Sequence, residues 1–161
     1  MNRKKINPRQ CPTWEAWGIR AKVWYSVRVK EVDKEKIAEV AKSHNLKLLV
    51  LFGSQVTGQT HSKSDVDVAY LADRTIDYRE NYDISIKLAR IFNNPEVELV
   101  NLKNVSPEFK KQVADQGVVL YADNSSIFDL FKMYAFKMYV ENKPIRELRR
   151  ESIKNFIHAH A

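Results

Sequence analysis

The chain has 161 residues, 44% of them hydrophobic and 29% charged, which suits one globular domain with a core and some decoration. No apolar run approaches the ~20 residues a bilayer-spanning helix needs. No apolar stretch follows the basic N-terminus, which speaks against a secretory signal. Cys11 is the single cysteine, so no internal disulfide can form, and a reducing cytoplasm is the expected compartment.

The net charge of +7 is concentrated at one end. Residues 1–30 carry eight lysines and arginines against Glu15 alone, while the rest of the chain is balanced. Residues 1–32 therefore read as a basic N-terminal extension, interrupted by Pro8 and Pro12. Such an arm can meet an acidic partner or nucleic acid, or simply be solvated. Trp14, Trp17 and Trp24 lie among its basic residues, where packing on a neighbouring surface competes with stacking on nucleobases. Alternation of Val23, Tyr25, Val27 and Val29 suggests a short strand.

Asp33 is placed to cap a helix over 34–44, with Ile37, Val40, Ala41 and His44 on one stripe and Asn45 at its end. His44 reads as a half-buried packing residue rather than a ligand. Leu46 to Phe52 forms a buried strand, followed by a polar loop from Gly53 to Ser64. A second strand runs from Val66 to Leu71, and a helix covers about 79–92. After the Asn93-Asn94-Pro95 turn comes a third strand, Val97 to Leu102. Ser106 caps the next helix, Pro107 occupies its first position and Gly117 ends it, before a short strand from Val118 to Tyr121.

From Ser125 onward the chain reads as helical. Ser126 and Asp129 resemble a capping box, and residues 127–140 are apolar on more than one face. Lys143-Pro144 breaks this helix, and a second carries Ile145, Leu148, Phe156 and Ile157 among many charges. So apolar a tail either packs on the chain's own sheet or forms a dimer or partner interface. The expected organisation is a basic extension over 1–32, a core over 33–122 and a helical tail over 123–161.

The segment that carries chemistry is Leu51 to Ala72, LFGSQVTGQTHSKSDVDVAYLA. A strand ends in Gly53-Ser54, where a residue without Cβ lets backbone approach a phosphate and a helical turn can offer N–H groups. Ten residues separate Ser54 from Asp65-Val66-Asp67. Aspartates at i and i+2 on a strand share a face, as carboxylates holding hard divalent cations must. Such cations bridge phosphates and lower the pKa of an attacking hydroxyl. A third acid is expected from Glu98, flanked by Val97, Leu99 and Val100. Their apolarity suggests a buried strand where an unpaired carboxylate is costly. Glu96 competes for this role but stands beside Pro95 at the strand's start.

GSQVTGQTHSKSDVD resembles the Gly-Ser, ten residues, Asp-x-Asp signature of the DNA polymerase β-like nucleotidyltransferases, and VELVNL resembles their third acidic strand. SPEFKKQVADQGVVLY is most similar to the minimal nucleotidyltransferase (MNT) group, whose members typically act as antitoxins beside HEPN-domain toxins. The resemblance implies an α+β fold, a small mixed sheet with helices packed on one face, plus C-terminal helices. It implies Gly53, Ser54 and Ser64 as nucleotide-binding residues, and Asp65, Asp67 and Glu98 as catalytic ligands of two Mg²⁺ ions. It implies ATP as donor, a hydroxyl of a HEPN-type toxin, such as a tyrosine, as AMP acceptor, and an antitoxin role. Two departures stand out. Gln55 and Thr57 replace arginines common in relatives, leaving Lys63 or the basic arm to offset triphosphate charge, and Glu98 replaces a more usual aspartate. Rival readings are an aminoglycoside-type small-molecule transferase, a template-independent polymerase, and a catalytically silent partner- or nucleic-acid-binding module. The first two usually carry larger additional domains. Homo-oligomerisation through the C-terminal helices remains open, and no membrane partner is expected.

Overall fold

The computed structural model describes residues 33–57 and 65–160. The element order is α1 (Lys34–Ser43), β1 (Leu46–Phe52), α2 (Ser54–Thr57), β2 (Val66–Ala72), α3 (Tyr78–Phe92), β3 (Val97–Asn101), α4 (Pro107–Gln116), β4 (Val118–Ala122), α5 (Ile127–Glu141) and α6 (Lys143–His160). The expected strand over 23–29, the tryptophans and the basic arm lie outside the described residues, as do Lys63 and Ser64.

The strands form one sheet in the order β3-β2-β1-β4. β1 runs antiparallel to β2 and β4, and β2 runs parallel to β3, so the sheet is mixed. Central position explains why β1 is almost wholly apolar: both its faces are covered. A register irregularity between Leu46 and Leu48 puts these two residues on opposite faces, after which alternation is regular.

Each face has its own core. Leu49, Leu51, Val66, Val68 and Tyr70 meet Ile37, Val40 and Ala41 of α1 and Ile84 and Leu88 of α3. On the other face Leu48, Val50, Phe52 and Ala69 meet Val113 and Ala114 of α4 and Phe131 and Ala135 of α5. The expected α+β fold, a small mixed sheet with helices packed on it and further helices at the C-terminus, is present, with helices on the second face as well as the first. An almost uniformly apolar β1 and two apolar cores leave no bare face, and α4 with the first tail helix covers the second.

Local chemistry sets the element ends. The Asp33 carboxylate accepts from the N–H groups of Glu35 and Lys36, and Asn45 and Asn93 adopt left-handed backbone with φ of 52° and 50°. Ser106 Oγ accepts from the Phe109 N–H, with Pro107 in the first turn. Gly117 ends α4 as expected, with φ −68° and extended rather than left-handed backbone. Glycine is needed there for space, since a Cβ would stand 2.4 Å from Val50 Cγ1 and 2.5 Å from the Val113 carbonyl oxygen. The Ser126–Asp129 capping box does not form. Ser126 makes no side-chain cap, and its N–H donates to Asn124 Oδ1 instead.

α5 buries only Phe131 and Ala135, and α6 buries nothing. α6 is tethered by Arg146, which donates to the Tyr139 carbonyl, lies 3.8 Å from the Tyr139 ring centroid and pairs with Glu108 at 3.6 Å. His44 is buried at the end of α1, with its Nδ1 2.9 Å from Glu80. Arg74 pairs with the same carboxylate, which falls to about 2 under the hydrogen bonds from Arg74 and His44.

Candidate active site

Gly53 follows β1 with φ +74°, a backbone conformation that L side chains rarely adopt. Its missing side chain serves a contact as well as a turn, because a Cβ would lie 2.0 Å from Asp67 Oδ2. The next residue, Ser54, opens the one-turn helix α2, and its backbone N–H donates to the Asp67 carboxylate. The N–H expected to face a phosphate therefore first binds a carboxylate, joining the glycine-serine turn to Asp67.

Two ladders place the acids. Phe52 pairs with Asp67 across β1–β2, and Asp67 pairs with Glu98 across the parallel β2–β3 ladder. Residues directly paired in a parallel ladder point to one face, here the side where Phe52 meets Phe109 of α4 edge-on at 5.2 Å. Asp65, two residues before Asp67, sits just ahead of β2. Burial raises the Asp67 carboxyl above its ordinary range, the negative charges of Glu98 and Asp65 raise it further, and the Ser54 N–H opposes them. Asp65 also hydrogen-bonds Glu96 and repels it, which raises the Glu96 carboxyl. Four carboxylates thus share one end of the sheet. Among the described residues no lysine or arginine pairs with any of them.

Among the described residues β3 is an edge strand, and Glu98 is exposed, so the cost of burying it supplies no reason for a metal there. Asp67, half-buried and repelled by Glu98 and Asp65, is the carboxylate whose charge a cation would offset. Among the described residues no three acidic, histidine or cysteine side chains already close on a common point as metal ligands. Donor type and charge nevertheless fit a hard divalent cation, since oxygen ligands without a counter-charge are what such an ion neutralises. Beside the acids, Tyr82, Ser85, Ile86 and Ala89 form a stripe on α3, and with Asp65, Glu96 and Glu98 they line a cleft of about 490 Å³. That size suits a small ligand or a side chain.

Residues 35–126 match the family described as Polymerase beta, Nucleotidyltransferase. The chain belongs to the polymerase β nucleotidyltransferase family. Within it, this nucleotidyltransferase is 31% identical over 143 residues to the protein adenylyltransferase MntA of Aphanizomenon flos-aquae, covering 80% of this chain and 92% of the relative. It is similar in structure to a chain from a toxin–antitoxin crystal structure with AMP-PNP, with a TM-score of 0.66, 29% identity, and coverage of 76% of this chain and 98% of that one. A third match, with a TM-score of 0.60 and 28% identity, covers 75% of this chain and 95% of that one. It comes from the structure of a tri-AMPylated Shewanella oneidensis HEPN toxin in complex with an MNT antitoxin.

The nucleotidyltransferase's departures from the arginine-rich turn have a local account at Gln55. Its side chain is buried, and its Nε2 donates to the Asp65 backbone carbonyl at 3.4 Å. It thereby helps anchor the start of β2, a role that no sequence feature signalled. No described helix is long and apolar enough to cross a membrane.

Proposed function

We propose that this nucleotidyltransferase transfers AMP from ATP to a tyrosine hydroxyl of a HEPN-type toxin and so acts as an antitoxin. The observation that carries the reading is the Asp67–Glu98 pairing beside Gly53 and Ser54, with Asp65 adding its charge. The MntA name of the relative, the AMP-PNP in one matched structure and the AMPylated toxin in another support the donor, product and partner. In this reading residues 33–122 are the catalytic unit, and 123–161 a helical addition.

The chemistry is in-line displacement. The acceptor oxygen forms a bond to the α-phosphorus, the bond to the bridging oxygen of the β-phosphate breaks, and pyrophosphate leaves. Gly53 and Ser54 receive the β- and γ-phosphates, a nucleotide-binding role the reading also gives to Ser64. Asp65, Asp67 and Glu98 would hold two Mg²⁺ ions, which supply charge neutralisation and a lowered pKa for the attacking hydroxyl. Glu98, exposed at the edge strand, accepts the hydroxyl proton. The Ser54 N–H fixes the Asp67 carboxylate, and the Gly53 turn holds the phosphates close to it. The cleft beside α3 admits the acceptor side chain next to Glu98.

The test is incubation with labelled ATP and the co-expressed toxin. Label should appear on a toxin tyrosine, disappear with a chelator and return with Mg²⁺. Asp65→Asn and Asp67→Asn should each abolish transfer while the far-UV spectrum stays unchanged. Transfer by either variant at the parent rate would overturn the assignment.

A further inference from the structure

A second cavity is lined by residues of α4, α5 and the turn after β3, and by none of the four carboxylates. It measures about 440 Å³ and is lined chiefly by Leu102, Lys103, Lys110, Leu130, Phe131 and Tyr134. All but the two lysines are apolar or aromatic. Lys110 is only 6% exposed. Its ammonium donates to the Lys103 carbonyl at 3.3 Å and stands 5.7 Å from the centre of the Tyr134 ring. Among the described residues no carboxylate pairs with it. A buried cation held by one carbonyl and one ring face lacks the counter-charge that normally offsets its desolvation.

The rim continues the pattern. Leu130, Met133 and Tyr134 are 61%, 70% and 51% exposed, one turn apart on the outward side of α5. Leu130 and Tyr134 line the cavity itself, and Met133 extends the exposed apolar surface past its lining.

We propose that this face of α4 and α5 docks a segment of a protein partner whose apolar residues cover Leu130, Met133 and Tyr134 and whose aspartate or glutamate enters the cavity to pair with Lys110. Charge complementarity selects the occupant, since a carboxylate is what the buried ammonium lacks and an apolar flank is what the rim requires. A central, desolvated charge pair ringed by apolar contacts is the usual anatomy of an energetic anchor. The proposal rests on the reading that the chain acts with a protein toxin, and it adds where that toxin holds on.

The test measures binding of the co-expressed toxin to the full chain by calorimetry, in the Asp67→Asn background so that transfer does not intervene. Lys110→Met keeps the length of the side chain and removes its charge, so it should weaken binding about tenfold or more. The melting temperature of the free variant should be unchanged or raised, because an unpaired buried charge has gone. Met133→Asp, at an exposed position that cannot disturb the core, should weaken binding comparably. If Lys110→Met instead lowers the melting temperature, Met133→Asp alone decides. Parental affinity in both variants, or in Met133→Asp alone in that case, overturns the docking surface and leaves the transfer reading standing. Failure of the parent itself to bind toxin overturns both.

Discussion

Replacing Gly53 by alanine should damage catalysis far more than stability. At φ +74° an alanine pays the left-handed penalty, about 1–2 kcal/mol. For a chain of this size that lowers the melting temperature by roughly 2–8 °C, at ~2–4 °C for each kcal/mol. The new methyl group would stand 2.0 Å from Asp67 Oδ2 and 2.8 Å from Asp67 Cγ. Ordinary contact needs about 3.5 Å, so the carboxylate has to retreat by roughly 1–1.5 Å. It would give up the Ser54 N–H as it moved, and displacement of a reacting group by about 1 Å costs on the order of 100-fold in rate. Initial rates of label transfer from ATP, with a thermal melt on the same preparation, separate the two effects. A variant with parental transfer would refute the contact between turn and carboxylate. A variant that melts more than ~15 °C lower would refute the claim that Gly53 serves the site more than the fold.

The third acid can be assigned by comparing Glu98→Gln with Glu96→Gln. The first should reduce transfer by about 100-fold or more, as expected for loss of a general base, and the second should retain most of it. Gly117→Ala should destabilise by about 1–3 kcal/mol in a denaturant titration, because its methyl group meets Val50 and the Val113 carbonyl and neither can withdraw freely. Glu80 sits near 2 in the folded chain, below its ordinary value of 4.5, so its stabilising contribution is complete above that value. It is lost as pH falls from 4.5 toward 2, and the melting-temperature gap between the parent and Glu80→Gln should narrow over that window.

The sequence exposed the elements whose signals are local. β1 occupies its expected Leu46–Phe52, and Asp33, Asn45, Ser106 and Pro107 do at helix ends what their backbone chemistry suits. What it hid depends on tertiary neighbours. The small size of Gly117 answers to Val50, 67 positions away in sequence, so its φ could not be inferred from its place at a helix end. Glu98 carries apolar neighbours on both sides, yet among the described residues the strand order puts β3 at an edge, and that carboxylate is exposed. Alternation along one strand says which residues share a face and nothing about whether a further strand covers it. In the sequence Gln55 stands where relatives carry a cation, and its hydrogen bond to the Asp65 carbonyl emerges only once α2 lies against the start of β2.

The same contrast explains how the charges divide. The Arg74–Glu80–His44 group is compensated, and its carboxylate is pushed down. The Asp65–Asp67–Glu96–Glu98 group lacks a counter-charge among the described residues, and Asp67 and Glu96 are pushed up. A fold that pairs its acids around Glu80 of α3 leaves them without a counter-charge across β2–β3, where the ladder locks Asp67 beside Glu98. Repulsion there is destabilising in the free chain, and binding of cations would repay it, so ligand and folding are linked through that end of the sheet. Lys110 has the opposite sign and the same logic, a buried charge whose partner the chain does not provide.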